Sequence, residues 1–295
     1  EKIMLKKRIV RSLLCLAVIL SFSATGVRGA NILFIVADPT LATYPNDVLL
    51  KNFFESLGHT VTYFDDNQAE AAMEAAAAAA DMVWISESVG SSNVANKITG
   101  MEVPIVVGEP YAWDEMGMTL NSPCQTSAVA TTDITIVNPG HFLAAGLHGT
   151  VTVLTNITGS AGMAEFANGR VGGEGTVIAT ATLANGQTWD VILIYEKGAR
   201  LALPPGDGSP QVAAHTRIGM FFHYYAHDVL NENAYALIKA AVNYALGLRA
   251  PPGQAKEPYP ANEAIYVPRE VVLSWTPGKY APPINGHKVY LSENF

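Results

Sequence analysis

Cysteine is nearly absent: Cys15 and Cys124 are the whole complement of the 295 residues. Cys15 falls in an N-terminal stretch that reads as a cleavable leader, which leaves Cys124 as a single buried thiol and no partner for an internal disulfide. Charge is scarce as well. Charged residues make up 15% and apolar ones 49%, enough to bury a sizeable core and to exclude global disorder. No Gly-x-Gly-x-x-Gly follows the first strand-like run and no Gly-x-x-x-x-Gly-Lys occurs, so neither a nucleotide nor any other cofactor is indicated. No Gly-x-Ser-x-Gly elbow marks a serine nucleophile. His223 and His227 are four apart, but no third ligand is marked and Asp228 and Asn231 place them in a loop before a helix, so no metal site is expected.

The charge that is present is divided. Residues 1–30 carry six basic side chains and one acid, so removing them from totals of 18 and 26 leaves 12 basic against 25 acidic groups, a net charge of −13. Such a surface repels nucleic acid and anionic membranes. The same thirty residues show a basic start, an apolar stretch over 13–22 and small residues at 26–30, the parts of a secretory signal peptide. The apolar stretch is short for a bilayer span, so the expectation is a secreted, extracellular chain with no membrane contact after cleavage. Three residues precede the first Met and the last ones stop within a strand-like pattern, so the chain reads as a piece of a longer gene.

Along residues 31–248, apolar β-branched runs alternate with helical patterns. Strands are expected at 31–37, 60–64, 81–86 and 104–108, with a helix capped by Asp47 between the first two and an Ala-rich helix at 68–80 between the next two. This rhythm calls for right-handed crossovers and a doubly wound sheet. At 133–195 the pattern turns to strands alone (134–137, 151–154, 176–183 and 188–195), with Asn185-Gly186 as a hairpin signal, and these read as antiparallel additions. A last parallel unit follows, a strand at 217–222 and a helix from Asn231 to Leu246 stopped by Gly247. Residues 249–262 are rich in Pro and Gly and read as a linker. Beyond it, 270–276 and 287–292 alternate as half-buried strands, too few residues to fold alone and so part of a truncated all-β sandwich over 263–295.

The order and spacing of residues 31–38, 83–88 with Ser92-Asn93-Val94, 108–114, Asn138-Pro139-Gly140-His141 with Ala145-Gly146-Leu147, and 219–243 resemble the secreted relatives of the class I glutamine-amidotransferase-like fold, which includes the ThuA-like domains. The resemblance implies a flavodoxin-like α/β domain over residues 31–248. It departs from active amidotransferases at the turn after the fourth strand, where Glu109 stands in place of the nucleophilic Cys, so that chemistry is not expected. The tail, with Val267-Pro268, residues 271–278 and Val289-Tyr290-Leu291, resembles the first strands of a type III fibronectin-like module. In large secreted bacterial proteins such modules accompany carbohydrate-binding domains, which implies a carbohydrate-related setting by association.

A doubly wound sheet would bring Asp38, Glu87, Ser88, Glu109 and His223 to the carboxyl ends of its parallel strands, where they can converge in one crevice. Tyr111 and Trp113 would stand at the rim, with Asp114 and His227 nearby. Carboxylates beside exposed aromatics suit a sugar, whose hydroxyls need acceptors and whose ring faces stack on indole or phenol. The bland alternative is that Glu109 and Asp38 bind only backbone amides at turns while Trp113 plugs the core. The leading expectation is a non-catalytic binding or scaffolding domain, joined to neighbouring modules and engaging carbohydrate. The rival is a hydrolase of glycosidic or ester bonds, using paired carboxylates or a Ser88 or Ser86, His223 or His227, and Asp228 or Glu109 triad. A third reading is a spacer with no ligand.

Overall fold

The computed structural model describes residues 29–94, 97–120, 131–156, 170–182, 186, 188–202, 211–220, 222, 224–248, 256–261, 264, 267 and 270–276. Five apolar runs form a parallel core sheet: β1 (Asn31–Val36), β2 (Thr60–Asp65), β3 (Met82–Ile85), β4 (Ile105–Val107) and, much later, β9 (Arg217–Met220). Between β4 and β9 lie β5 (Asp133–Ile136), β6 (Gly149–Thr152), β7 (Thr176–Thr182) and β8 (Thr188–Tyr195). The nine strands run in the order β2-β1-β3-β4-β9-β8-β7-β5-β6. The pairs from β2 to β9 are parallel, and those from β9 to β6 are antiparallel. The parallel half has the flavodoxin-like strand order, reversing direction between β1 and β3. The antiparallel half is the extension expected of residues 133–195.

Strand alternation divides the core in two, and the helices follow it. Ile32, Phe34, Val36, Met82, Trp84, Val106, Ile218 and Met220 face one side. There they meet α1 (Asp47–Ser56) through Leu50 and Phe54, and α4 (Glu232–Ala245) through Ala234, Leu237, Ile238 and Ala241. Leu33, Ile35, Val83, Ile85, Ile105 and Val107 face the other, covered by Met73 and Ala77 of α2 (Glu70–Ala78) and Val94 of α3 (Ser91–Val94). With period 2, one strand supplies both layers, which is why these runs are continuously apolar. Helix α4 begins where its sequence says: the Asn231 side chain accepts from the amides of Asn233 and Ala234.

At the amino ends of the strands, Arg217 is fully buried without an acidic partner among the described residues. Its Nη1 donates to the carbonyls of Val103 (2.8 Å), His215 and Thr216, and its Nη2 to those of Thr99 (2.9 Å) and Met101 (2.7 Å). Burial lowers its pKa to about 10, which still leaves it cationic at neutral pH. The guanidinium fork thus ties the 99–103 loop to the start of β9.

Three local expectations need correction. Asp47 does not cap α1: Asn46 holds the cap position, without a side-chain bond, and Asp47 is the first helical residue. Strand β6 starts at Gly149, two residues before the apolar signal, because Ile136 pairs with Gly149 and Ile134 with Val151. Residues 256–259, read as linker, form the strand β10 (Lys256–Tyr259), antiparallel to β11 (Ser274–Thr276). Pro258 argues against a strand there, but an exposed edge tolerates it. Tyr259, Val267, Val272 and Leu273 of this tail are exposed. The expected strand at 287–292, Asn185 of the hairpin signal, Cys124 and the leader lie outside the described residues.

Candidate functional site

At the carboxyl ends of β1, β3, β4 and β9 the loops are stitched together by buried polar side chains. Asp47 is inaccessible to solvent and accepts two hydroxyls, Ser86 Oγ on Oδ1 and Ser88 Oγ on Oδ2, both at 2.6 Å. Ser86 Oγ in turn accepts the Ser88 amide (3.2 Å), and Ser88 Oγ receives the Ala37 amide just past β1 (3.4 Å). Burial raises the Asp47 pKa from 3.8 to about 6, against the two serine hydrogen bonds, which favour the anion. Glu87 crosses to β9's exit loop, accepting the Tyr224 amide on Oε2 at 2.5 Å. The Tyr224 hydroxyl accepts the Asn46 amide (3.1 Å) and its ring packs edge-on against Tyr44, with centroids 5.1 Å apart.

The turn after β4 is tied into the fold in the same way. Glu109 is 3% exposed and its Oε1 accepts the Tyr111 amide at 2.7 Å, capping the short 3-10 turn Pro110–Ala112. Trp113 does not stand at a rim. It is 0% exposed, its indole N–H donates to the Val107 carbonyl (3.1 Å), and its ring lies over Gly219 of β9. A Cβ on Gly219 would sit 2.9 Å from the indole carbons Cε2 and Cζ2. The absence of a side chain there is what admits the indole to the sheet face. Tyr111 and Asp114 are half-buried beside it.

Of the remaining residues named from sequence, Asp38 closes its own turn. It accepts from the Thr40 amide and hydroxyl and from the Thr43 amide, and the Thr40 hydroxyl, with help from those amides, lowers its pKa to about 2. His227 is buried, its ring edge-on to Tyr224 with centroids 5.9 Å apart. His223 lies outside the described residues. The residue that sequence reasoning missed is Asp47, whose partners lie 39 and 41 positions away. Asp66 is similar: buried, and accepting from Asn67 Nδ2, the Gly90 amide and Asn93 Nδ2. No local pattern announces either role. Among the described residues no group of three His, Cys, Asp or Glu is placed to hold a metal ion, and no helix is long and apolar enough to cross a membrane.

Chemically, Ser86 and Ser88 each present a hydroxyl to a carboxylate, but Ser86 is 0% and Ser88 7% exposed. A nucleophile must come within about 3–3.5 Å of the atom it attacks. Neither hydroxyl offers that approach in this conformation.

No family model matches the chain, and no curated protein matches it. Among solved structures the chain is similar to one from Bacteroides uniformis ATCC 8492 described as ThuA-like, with 10% sequence identity, 74% of this chain and 91% of that chain covered, and a TM-score of 0.46. The flavodoxin-like assignment rests on the strand order and the two-sided helix packing of this chain.

Proposed function

We propose that residues 31–248 form a non-catalytic binding or scaffolding domain of a secreted, multidomain protein. The observation that carries this reading is the engagement of the strand-end polar groups within the fold: Asp47 with Ser86 and Ser88, Glu87 with the Tyr224 amide, and Glu109 with the Tyr111 amide. A catalytic crevice keeps such groups open to substrate, with their pKa values tuned by a site that substrate can enter. The rival hydrolase reading would need Ser86 or Ser88 to become reachable for a triad, or two strand-end carboxylates open to substrate for acid/base work.

Secretion is supported by the pattern of residues 1–30, and attachment to neighbouring modules by the exposed apolar side chains of the tail, Val272 at 79% exposure above all. Carbohydrate is the ligand class to test first, by the association of fibronectin-like tails with such settings. Burial of Trp113 removes the indole from the stacking platform and leaves the half-buried Tyr111. The test is a thermal-shift and turnover screen of the full chain with oligosaccharides, glycosides and simple esters. Ligands that bind only the folded state raise the midpoint. Binding without turnover, or neither, agrees with the proposal, and saturable turnover of any glycoside or ester overturns it.

A further inference from the structure

A cleft of about 550 Å³ opens at the opposite end of the sheet, where the amino ends of β1, β3, β4 and β9 meet the carboxyl end of α4. Its size falls within the range of small-ligand sites. Asn31, Asp81, Pro104, His215, Leu246 and Leu248 are among its walls. Asp81 is the one charged side chain among the described lining residues, and its Oδ2 is held by the Asn31 amide at 2.7 Å, which fixes the carboxylate in place. No hydrogen bond from the described residues reaches its Oδ1.

Two more features set the character of the cleft. Helix α4 is fourteen residues long and has no basic residue in its last turn, so the negative end of its dipole reaches residues 245–248 uncompensated by its own side chains. His215 Nδ1 accepts the Thr216 amide at 2.8 Å, which places the imidazole proton of the neutral ring on Nε2 as a donor. Burial first, then the Arg217 and Lys197 charges, hold the His215 pKa below its usual value, so the ring stays neutral near pH 7. Asp81 and the helix end favour a cation, while on the His215 side the Arg217 and Lys197 charges oppose one, with Glu102 and Glu196 acting against them, so the cation's place is at Asp81. Pro104, Ala245, Leu246 and Leu248 offer apolar contact.

We infer that this cleft binds a small organic amine, its ammonium group on Asp81 beneath the end of α4 and its apolar body against Pro104 and Leu246. Such binding is independent of the scaffolding proposal. The probe is phenethylamine, titrated against the full chain with the unfolding midpoint as readout, beside 2-phenylethanol and 3-phenylpropionate as neutral and anionic counterparts. At saturation the amine raises the midpoint by about 2–4 °C, the alcohol less, and the anion not at all. Asp81→Asn keeps an acceptor for the Asn31 amide and weakens the amine's apparent affinity about tenfold. Leu248→Lys, at a position 40% exposed and so tolerant of change, supplies an internal ammonium that competes with the probe and abolishes the shift. No shift at millimolar amine, an equal shift with the anion, or a shift that survives Leu248→Lys would overturn the inference, even if Asp81→Asn did not fold.

Discussion

Replacing Asp47 by Asn isolates the energetic cost of the buried carboxylate at the strand ends. Its folded-state pKa of about 6 lies above the ordinary value of 3.8, so the folded chain prefers the protonated acid. The sign follows from linkage: the stability associated with this group is fully present below pH 3.8, declines as pH rises, and is lost above about pH 6. A shift of roughly two pKa units at 1.36 kcal/mol each makes the ionised group cost about 3 kcal/mol at pH 7.5. Asp47 lies in the first turn of α1, where the helix dipole favours an anion, so the full cost is an upper figure. Asn is nearly isosteric, stays neutral, and can still accept one serine hydroxyl while donating to the other. Urea unfolding of the two full-length proteins between pH 4 and 8 is the assay. Near pH 4 they should be within about 1 kcal/mol of each other, and at pH 7.5 the variant should be more stable by up to about 3 kcal/mol. Taking the difference between the proteins cancels the other carboxylates, including Asp38, whose lowered pKa acts in the opposite sense. A variant that is less stable at pH 7.5, or whose pH dependence matches that of the parent, would refute the reasoning.

Arg217→Met should destabilise the chain by about 3–5 kcal/mol in denaturant melts, because it leaves the Thr99, Met101 and Val103 carbonyls without their buried donor. Arg217→Lys should recover only part of this, since an ammonium cannot span the same fork of carbonyls. Gly219→Ala should cost about 1–3 kcal/mol by crowding the Trp113 indole, and Trp113→Phe should offset some of that cost in a double-mutant cycle. A Gly219→Ala protein as stable as the parent would place the indole elsewhere.

The architecture is legible because the central strands are buried on both faces and therefore read as continuous apolar runs. β1 and β4 are such runs, and Asn231 and Gly247 bracket the last helix as their types suggest. Strand ends are less legible where pairing rather than hydrophobicity sets them. β6 begins on Gly149 and Thr150, which lie outside the apolar run and are recruited by pairing with β5. The site is legible only as a set of residues at the right end of the sheet. Whether Trp113 is exposed depends on a glycine far away in sequence, and whether Ser88 is a nucleophile or a tie depends on Asp47, which reads locally as a helix cap. Such long-range pairings leave no periodicity to detect. The cleft at the amino ends escapes a sequence reading for a related reason: it gathers residues at or just before the starts of four separate strands, none of which forms a motif.

The most direct test of the claim that the strand-end carboxylates belong to the fold is to measure unfolding midpoint and turnover on the same preparations of the parent and Glu109→Gln. The amide keeps an acceptor for the Tyr111 N–H but gives up the charge-assisted bond, so the midpoint should fall by about 1–3 °C. Ester and glycoside turnover should remain at the background of the parent. A parent with saturable turnover that drops about a hundredfold or more in Glu109→Gln, with the midpoint unchanged, would contradict the account and make Glu109 a catalytic residue.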